Sequence, residues 1–312
     1  MKKLLFLTFS ILISFNSYSE SGCSEKEHKE NIIQNTIFFQ ERAGLFYLPN
    51  DPKPYSGKDL CVHKNASGQY YLKGTIKNGK RHGTLIWWHK NGQKSIEGSY
   101  INGEWNGKWT WWHDNGQKSS EGDYINGKWN GKWTWWHDNG QKSSEGNYKN
   151  DMRDGEWLWW YDNFQLEQEI NYKLGVLDQK HTEWYKNGQV RKEHNYINGM
   201  NDGKWRLWWE NGNIKSEHNF IKNTRDDNWT EWHENGQIRT DTTYVDGQKN
   251  GKRTWWYANS QIEQVGYYID GKHEDKWTMW WEDGNKKSVT LYKDDVEVKR
   301  TEWDENGKKK RQ

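Results

Sequence analysis

The 312-residue chain carries 46 Lys and Arg against 44 Asp and Glu, with 25 Trp, 30 Gly and 3 Pro, for a formal net charge of +2. Leu, Ile, Val and Phe make up about 15% of it, below the share that builds an ordinary aliphatic core. The near-neutral balance excludes a polybasic nucleic-acid binder, and indoles that bury on the order of 150–250 Å² each replace the missing aliphatic surface, so the composition points to an aromatic-cored, glycine-punctuated β protein.

At the N-terminus, Lys2 and Lys3 precede the apolar run Leu4 to Phe15, and Ser17-Tyr18-Ser19 places small residues at the recognition positions of a cleavage site. Residues 1–19 are therefore expected to be a secretory signal peptide, its apolar run too short to span a bilayer. The mature chain is expected to start near Glu20 with no integral membrane segment, and to be periplasmic, outer-surface or secreted. Cys23 has two readings. Ser21-Gly22-Cys23 suits a lipid anchor, but Glu20 stands where such an anchor requires an aliphatic or small residue. The other reading is a disulfide with Cys61, the only other cysteine, which suits an exported chain and is worth about 3–4 kcal/mol in the chain-entropy model.

Residues 20–60 form an entry segment that holds all three prolines (Pro49, Pro52, Pro54) and no tryptophan. Its stretch ERAGLFYLPNDPKPYSG, residues 41–57, reads as a pre-strand and a turn leading into the first hairpin. At the other end, residues 308–312 contain Lys308-Lys309-Lys310-Arg311, read as a solvated basic tail because the rest of the chain balances its charge.

Between them, residues 61–307 repeat with a period of 24. The structural anchors Trp88, Trp112, Trp136, Trp160, Trp184, Trp208, Trp232, Trp256 and Trp280 follow one another by 24 residues, and Trp303 comes after 23. An Asn column lies three residues further on, from Asn91 to Asn259, with Asp283 and Asn306 completing it. A Tyr column, with one Phe220, runs from Tyr100 to Tyr292, and Gly103, Gly127, Gly175, Gly199, Gly247 and Gly271 form a second glycine column. A degenerate copy starts near Cys61, with Gly68 and Gly79 in register. WNGKWTWWHDNGQKSSEG occurs at 105–122 and again at 129–146. Such duplication lengthens a scaffold, whereas it would disrupt a single-site enzyme.

Each period predicts a β-hairpin. In Lys132–His137, Trp133, Trp135 and His137 share one face, while Lys132, Thr134 and Trp136 share the other. Asn139-Gly140 is expected to supply the positive φ angles of a tight turn, Gln141–Tyr148 to return, and the Asn near 126 or 150 to begin the next reversal. The expected fold is all-β, an elongated open antiparallel meander of stacked hairpins extending on the order of 100 Å.

The unit G-x-W-x-x-W-x-x-N-G-Q-x-x-x-E-x-x-Y-x-x-G resembles the bacterial variant of the MORN repeat. With the FYLPNDPKPYSG entry, residues 41–307 resemble the YwqK-type antitoxin family. The resemblance implies a sheet of stacked hairpins with a non-catalytic, interaction-type role, possessing an antitoxin-like character. The signal segment would place any neutralised toxin in or beyond the envelope.

His89, His113, His137 and His233 share one column and invite a metal reading. Successive copies are two strand spacings apart, about 9.5 Å, too far for one zinc ion with bonds of about 2 Å. Tyr161, Tyr185 and Tyr257 take the same place, so aromatic stacking is expected there, and neither a metal nor another cofactor. Glu97, Glu121, Glu145, Glu169, Glu193 and Glu217 form a ladder with no distinguished acid/base pair; ion pairs with Lys118, Lys142, Lys192 and Lys215 are expected instead. Without a G-x-S-x-G, P-loop, dinucleotide or zinc-protease motif, no catalytic residues and no enzyme activity are expected.

Trp87, Trp109, Trp111, Trp133, Trp135, Trp157 and Trp159 form the candidate partner-binding surface, since Glu183 and Glu231 interrupt the stripe further along. Packing of both Trp sets within a twisted sheet is the competing reading. The expected function is an exported scaffold for an unidentified protein partner, a toxin or an envelope protein. The alternative is a carbohydrate or cell-wall binder that uses an exposed Trp ladder.

Overall fold

The computed structural model describes residues 40–48, 50–62 and 70–310. The signal segment, the cleavage point, Cys23 with its expected bridge, and Gly68 lie outside the described residues. The fold is all-β, hairpin after antiparallel hairpin, with strands such as Lys128–Trp136 paired to the strand before and the strand after. The described residues divide into two compact units, the first ending at Gly107 and the second beginning at Lys108.

In the first unit, the hairpin of Gln40–Arg42 and Leu45–Tyr47 leads into a segment docked on the Asn78-Gly79 turn. Phe46 N–H donates to Gly79 O at 2.8 Å, and Gly79 N–H donates to Tyr55 O at 2.7 Å. A Cβ on Gly79 would lie 2.9 Å from Leu45 Cβ and 3.0 Å from Pro54 Cβ, and its φ is +75°, so only glycine fits. Leu72, Ile76 and Leu85 are buried behind this turn with an Asp59–Arg81 ion pair at 3.4 Å. Burial pushes the Asp59 carboxyl up, with the Arg81 charge opposing it. The Arg81 guanidinium also faces the Trp87 ring at 5.5 Å and the Phe46 ring at 5.7 Å.

In the second unit, the two reversals of each repeat differ in kind, and the structure corrects the expected assignment. At His137–Gln141 only Gly140 has positive φ, +82°. Gly140 N–H donates to His137 O at 2.9 Å, and the Asn139 side chain accepts from Gln141 N–H at 3.0 Å. This is a three-residue loop, a type I turn followed by a left-handed glycine. The two-residue turn with both φ positive is the other reversal, as in Asn126 (+50°) and Gly127 (+75°) or Asn150 (+50°) and Asp151 (+67°). Asn139 stays out of the left-handed region because its side chain closes the loop locally.

A third backbone feature has no counterpart in the sequence reading. In strand Lys128–Trp136, Asn130 pairs with Asp123 but the next pair is Thr134 with Glu121. Two extra residues are looped into the outgoing strand around Gly131, whose φ is +67°. Because two are inserted, facing is preserved: Trp129 and Trp133 point the same way and stack at 4.0 Å with 14° between planes.

The buried side chains of this unit line mainly one face. Trp133 sits directly opposite Gly146, and its ring fills the space above Gly122, where a Cβ would overlap it; Gly146 makes the same room for Trp157, and Gly266 for Trp277. Trp109, Trp133 and Trp157 are at most 1% exposed. Where His218 replaces the glycine, its ring lies flat on Trp229 at 3.2 Å. Burial, reinforced by the Arg225 charge, pushes the His218 pKa down to about 3. The opposite face carries the Glu–Lys ladder. Glu121 accepts Lys118 at 2.7 Å and Lys108 at 2.8 Å, and Glu145 accepts Lys142 at 2.7 Å. Burial alone would raise Glu121, but its two lysine partners outweigh burial and hold it below the usual carboxylate range. Lys192 and Lys215 depart from the expected ladder: Lys192 pairs with Glu183 at 2.9 Å and Lys215 lies 4.3 Å from the Trp209 ring centroid.

Two outcomes follow for stability. Gly146→Ala should lower unfolding stability by about 1–3 kcal/mol, the cost of overpacking, where an unhindered Gly→Ala would be neutral or stabilising; urea unfolding followed by Trp fluorescence measures it. His218 has a folded pKa below its unfolded value of 6.5, so it binds its proton only on unfolding. Its stability contribution is intact above about pH 6.5 and is lost at up to about 1.4 kcal/mol per pH unit as pH falls from there towards its folded pKa. His218→Thr, the residue type at Thr242 and Thr290 in the same column, should flatten the pH 5–6.5 stability slope by that one-proton amount.

Candidate functional site

The seven tryptophans expected to form the partner surface divide into two kinds. Trp109, Trp133 and Trp157 are buried and offer no accessible surface, because each ring packs against a neighbouring strand. Their ring N–H groups are committed too: Trp133 Nε1 donates to Asp123 O at 3.2 Å and Trp157 Nε1 to Asn147 O at 3.0 Å. Trp87, in the first unit, and Trp111, Trp135 and Trp159, in the second, are half-buried. In the second unit Trp109, Trp111, Trp133, Trp135, Trp157 and Trp159 form one stack, with successive centroids 5.6–5.8 Å apart and planes 28–35° apart. Trp111 and Trp135 therefore each lie between two buried indoles and are themselves half-buried.

The anchor tryptophans are half-buried, and their backbone carbonyls serve as acceptors. His137 Nε2 approaches Trp160 O at 3.1 Å, Tyr161 Oη donates to Trp184 O at 2.9 Å, and Trp209 Nε1 donates to Trp232 O at 3.3 Å. His113, Tyr185, His233 and Tyr257 repeat this contact at 2.8–3.2 Å. A carbonyl only accepts, so each histidine carries its proton on Nε2 in this contact. The shared property of the column is thus a hydrogen-bond donor at the far tip of a flat ring, rather than stacking alone. Burial pushes the Tyr161 and Tyr257 hydroxyls up and keeps them protonated as donors. The Asn column makes a parallel link: Asn187 Nδ2 donates to Glu210 O at 3.0 Å and Asn211 Nδ2 to Glu234 O at 2.9 Å. Asp283 lacks that donor, and neighbouring Asn285 reaches Glu305 O at 3.3 Å in its stead.

The indole stack ends where its columns change residue. His181 and Glu183 stand three periods after Trp109 and Trp111, and His194 stands three periods after Gly122. His181 pairs directly with His194 across the strands, and Glu183 lies two residues along on the same face. One donor atom from each of the three can be chosen so that all lie within 4.8 Å of one another. His181 Nε2 is 3.4 Å from Glu183 Oε1, while Lys192 Nζ holds that same oxygen at 2.9 Å. His194 is 2% exposed, its Nδ1 is 3.4 Å from the Tyr196 hydroxyl, and Trp205 stacks on its ring at 4.1 Å. Neither ring nitrogen of His181, nor Nε2 of His194, has a hydrogen-bond partner. Burial pushes His181 down to about 4 against the opposing Glu183 charge, and burial with the Lys192 charge pushes His194 down to about 3. The tip column carries no mark of this cluster; its signal in the sequence is three departures from the Trp and Gly columns at one point of the array.

The repeat positions agree with a family model described as the MORN repeat variant, which matches residues 81–102, 105–126, 129–150, 153–174, 180–198, 201–222, 228–246 and 249–270. No curated protein matches the chain in sequence. Among solved structures, it is similar to a chain in a crystal structure of TcdB2-TccC3-Cdc42, at 10% identity and a TM-score of 0.17, covering 85% of this chain and 17% of that one. It is likewise similar to a chain of the Photorhabdus luminescens Tc holotoxin pore, at 12% identity and a TM-score of 0.18, covering 78% of this chain and 14% of that one. The chain thus spans less than a fifth of the structures it matches. With eight matched segments across more than half of its length, in register with the hairpins, the protein belongs to the MORN repeat variant family.

Proposed function

We propose that the protein is an exported, non-catalytic repeat scaffold whose indole edge strip, built on Trp111, Trp135 and Trp159, binds a protein partner in the envelope. An antitoxin- or immunity-like role is the form of binding that the family resemblance suggests. One observation carries this reading: the same half-exposed indole recurs at 24-residue steps, each fixed by a buried indole beside it. Rigid aromatic side chains set in a packed surface lose little freedom on binding, which makes Trp a favoured interface anchor. A regular row of such groups suits an extended partner, and gives no single point a distinct chemistry. Export rests on Lys2, Lys3 and the Leu4–Phe15 run. The glycan alternative needs open ring faces for sugars to stack on, and Trp111 and Trp135 each have two other indoles with centroids 5.6–5.8 Å away.

The test is capture from the envelope fraction with the full chain, compared with Trp111→Glu/Trp135→Glu. Glu183 and Glu231 occupy that column naturally, so the double variant should fold. The expected result is a chain that begins near Glu20 in the envelope, and a partner whose affinity falls at least about 30-fold in the variant, the effect of losing a hot spot of ~2 kcal/mol. Absence from the envelope, or capture that the variant leaves unchanged, contradicts the proposal. Binding to peptidoglycan fragments that is lost in the variant would establish the glycan alternative instead.

A further inference from the structure

We propose that His181, His194 and Glu183 form a binding site for one divalent transition cation of the zinc class. The elements are placed by the fold itself. His-x-Glu on one strand puts both side chains on one face, and a histidine directly across the ladder adds the third donor there. Imidazole nitrogen and carboxylate oxygen are the ligand types a zinc-class ion takes, and two His with one Glu leave a fourth position for water.

The condition of the donors supports a ligand. A neutral buried imidazole ordinarily finds partners for its nitrogens, yet His194 Nε2 and both nitrogens of His181 have none. The Tyr196 hydroxyl beside His194 Nδ1 leaves Nε2 as the coordinating atom, in the manner of an outer-shell partner that fixes a ring. Tetrahedral bonds of about 2.0–2.1 Å set ligand atoms roughly 3.3 Å apart. The His181 Nε2–Glu183 Oε1 separation of 3.4 Å already matches, and one donor atom from each of the three residues lies within 4.8 Å of the others, so side-chain rotation has the remainder to close.

Lys192 is the competitor. Its ammonium holds Glu183 Oε1 at 2.9 Å, and Arg191 lies 3.8 Å from Oε2. In this state a lysine supplies the positive charge that the carboxylate needs. Lys192 is partly exposed, so its ammonium can turn out to water when a metal takes that position. The site is therefore an exchange of one cation for another, and removing Lys192 should strengthen it.

The experiment titrates the full chain with Co²⁺, reading its visible absorption, and then displaces Co²⁺ with Zn²⁺. Wild type should bind one equivalent. His181→Trp/His194→Gly restores the residues found at Trp109 and Gly122, and should bind at least about 100-fold more weakly, the upper range for second-shell losses. If that variant does not fold, Glu183→Gln, which keeps the shape of the carboxylate, should show the same loss. Lys192→Met should bind about tenfold more tightly, because no ammonium then competes for Glu183 Oε1. Wild type without a Co²⁺ spectrum, or ligand variants that bind as well as wild type, would overturn the site.

Discussion

The interaction that sets the core of the second unit is an indole seated over the adjoining strand, on a glycine in three copies and on the ring of His194 or His218 in two others. Trp133 fills the space above Gly122, Trp157 above Gly146 and Trp277 above Gly266, leaving these rings almost wholly buried. Each seat provides aromatic burial that the scarce aliphatic residues do not, and it does so within a pair of neighbouring hairpins. Stability is then a sum of local seats and nearest-neighbour links, as in other repeat architectures. The two extra residues around Gly131 belong to the same device, since they bring Trp129 onto Trp133 without turning either to the other face.

The repeats are tied across their turns as well as through their faces. Ring-tip donors such as His137 and Tyr161 reach the anchor carbonyl of the following copy, and Asn187 and Asn211 reach a carbonyl two residues beyond an anchor. These bonds hold the carbonyl of the last residue of a strand and one in the turn after it, which keeps the turns on that side regular. They also explain which residues share the tip column: His, Tyr and Trp present a donor at the right reach, and Phe does not.

Much of the fold was legible because 24-residue periodicity exposes every column at once. The hairpin, the strand faces and the pairing of Glu121 and Glu145 with lysines can all be read that way. The exchange of turn types could not, because Asn-Gly suits both a two-residue turn and the end of a three-residue loop. What separates them is whether the Asn139 side chain closes the loop, a matter of three-dimensional geometry. The buried state of Trp109, Trp133 and Trp157 was hidden for a related reason. Alternation places them on a face, but only the register that sets Gly146 opposite Trp133 shows which member of each Trp pair is seated. His181, Glu183 and His194 are invisible to a search along one column, since they sit in three different columns of one copy.

If each copy is a self-consistent unit seated on its neighbours, the interior of the array should accept the loss of a whole period and reject the loss of one residue fewer. The decisive measurement compares a chain lacking residues 129–152 with one lacking residues 129–151, by circular dichroism and urea unfolding monitored by Trp fluorescence. The 24-residue deletion should retain a cooperative transition and native-like Trp emission, whereas the 23-residue deletion, which shifts every following side chain to the other face, should lose both. Equal disruption by the two deletions would contradict the account.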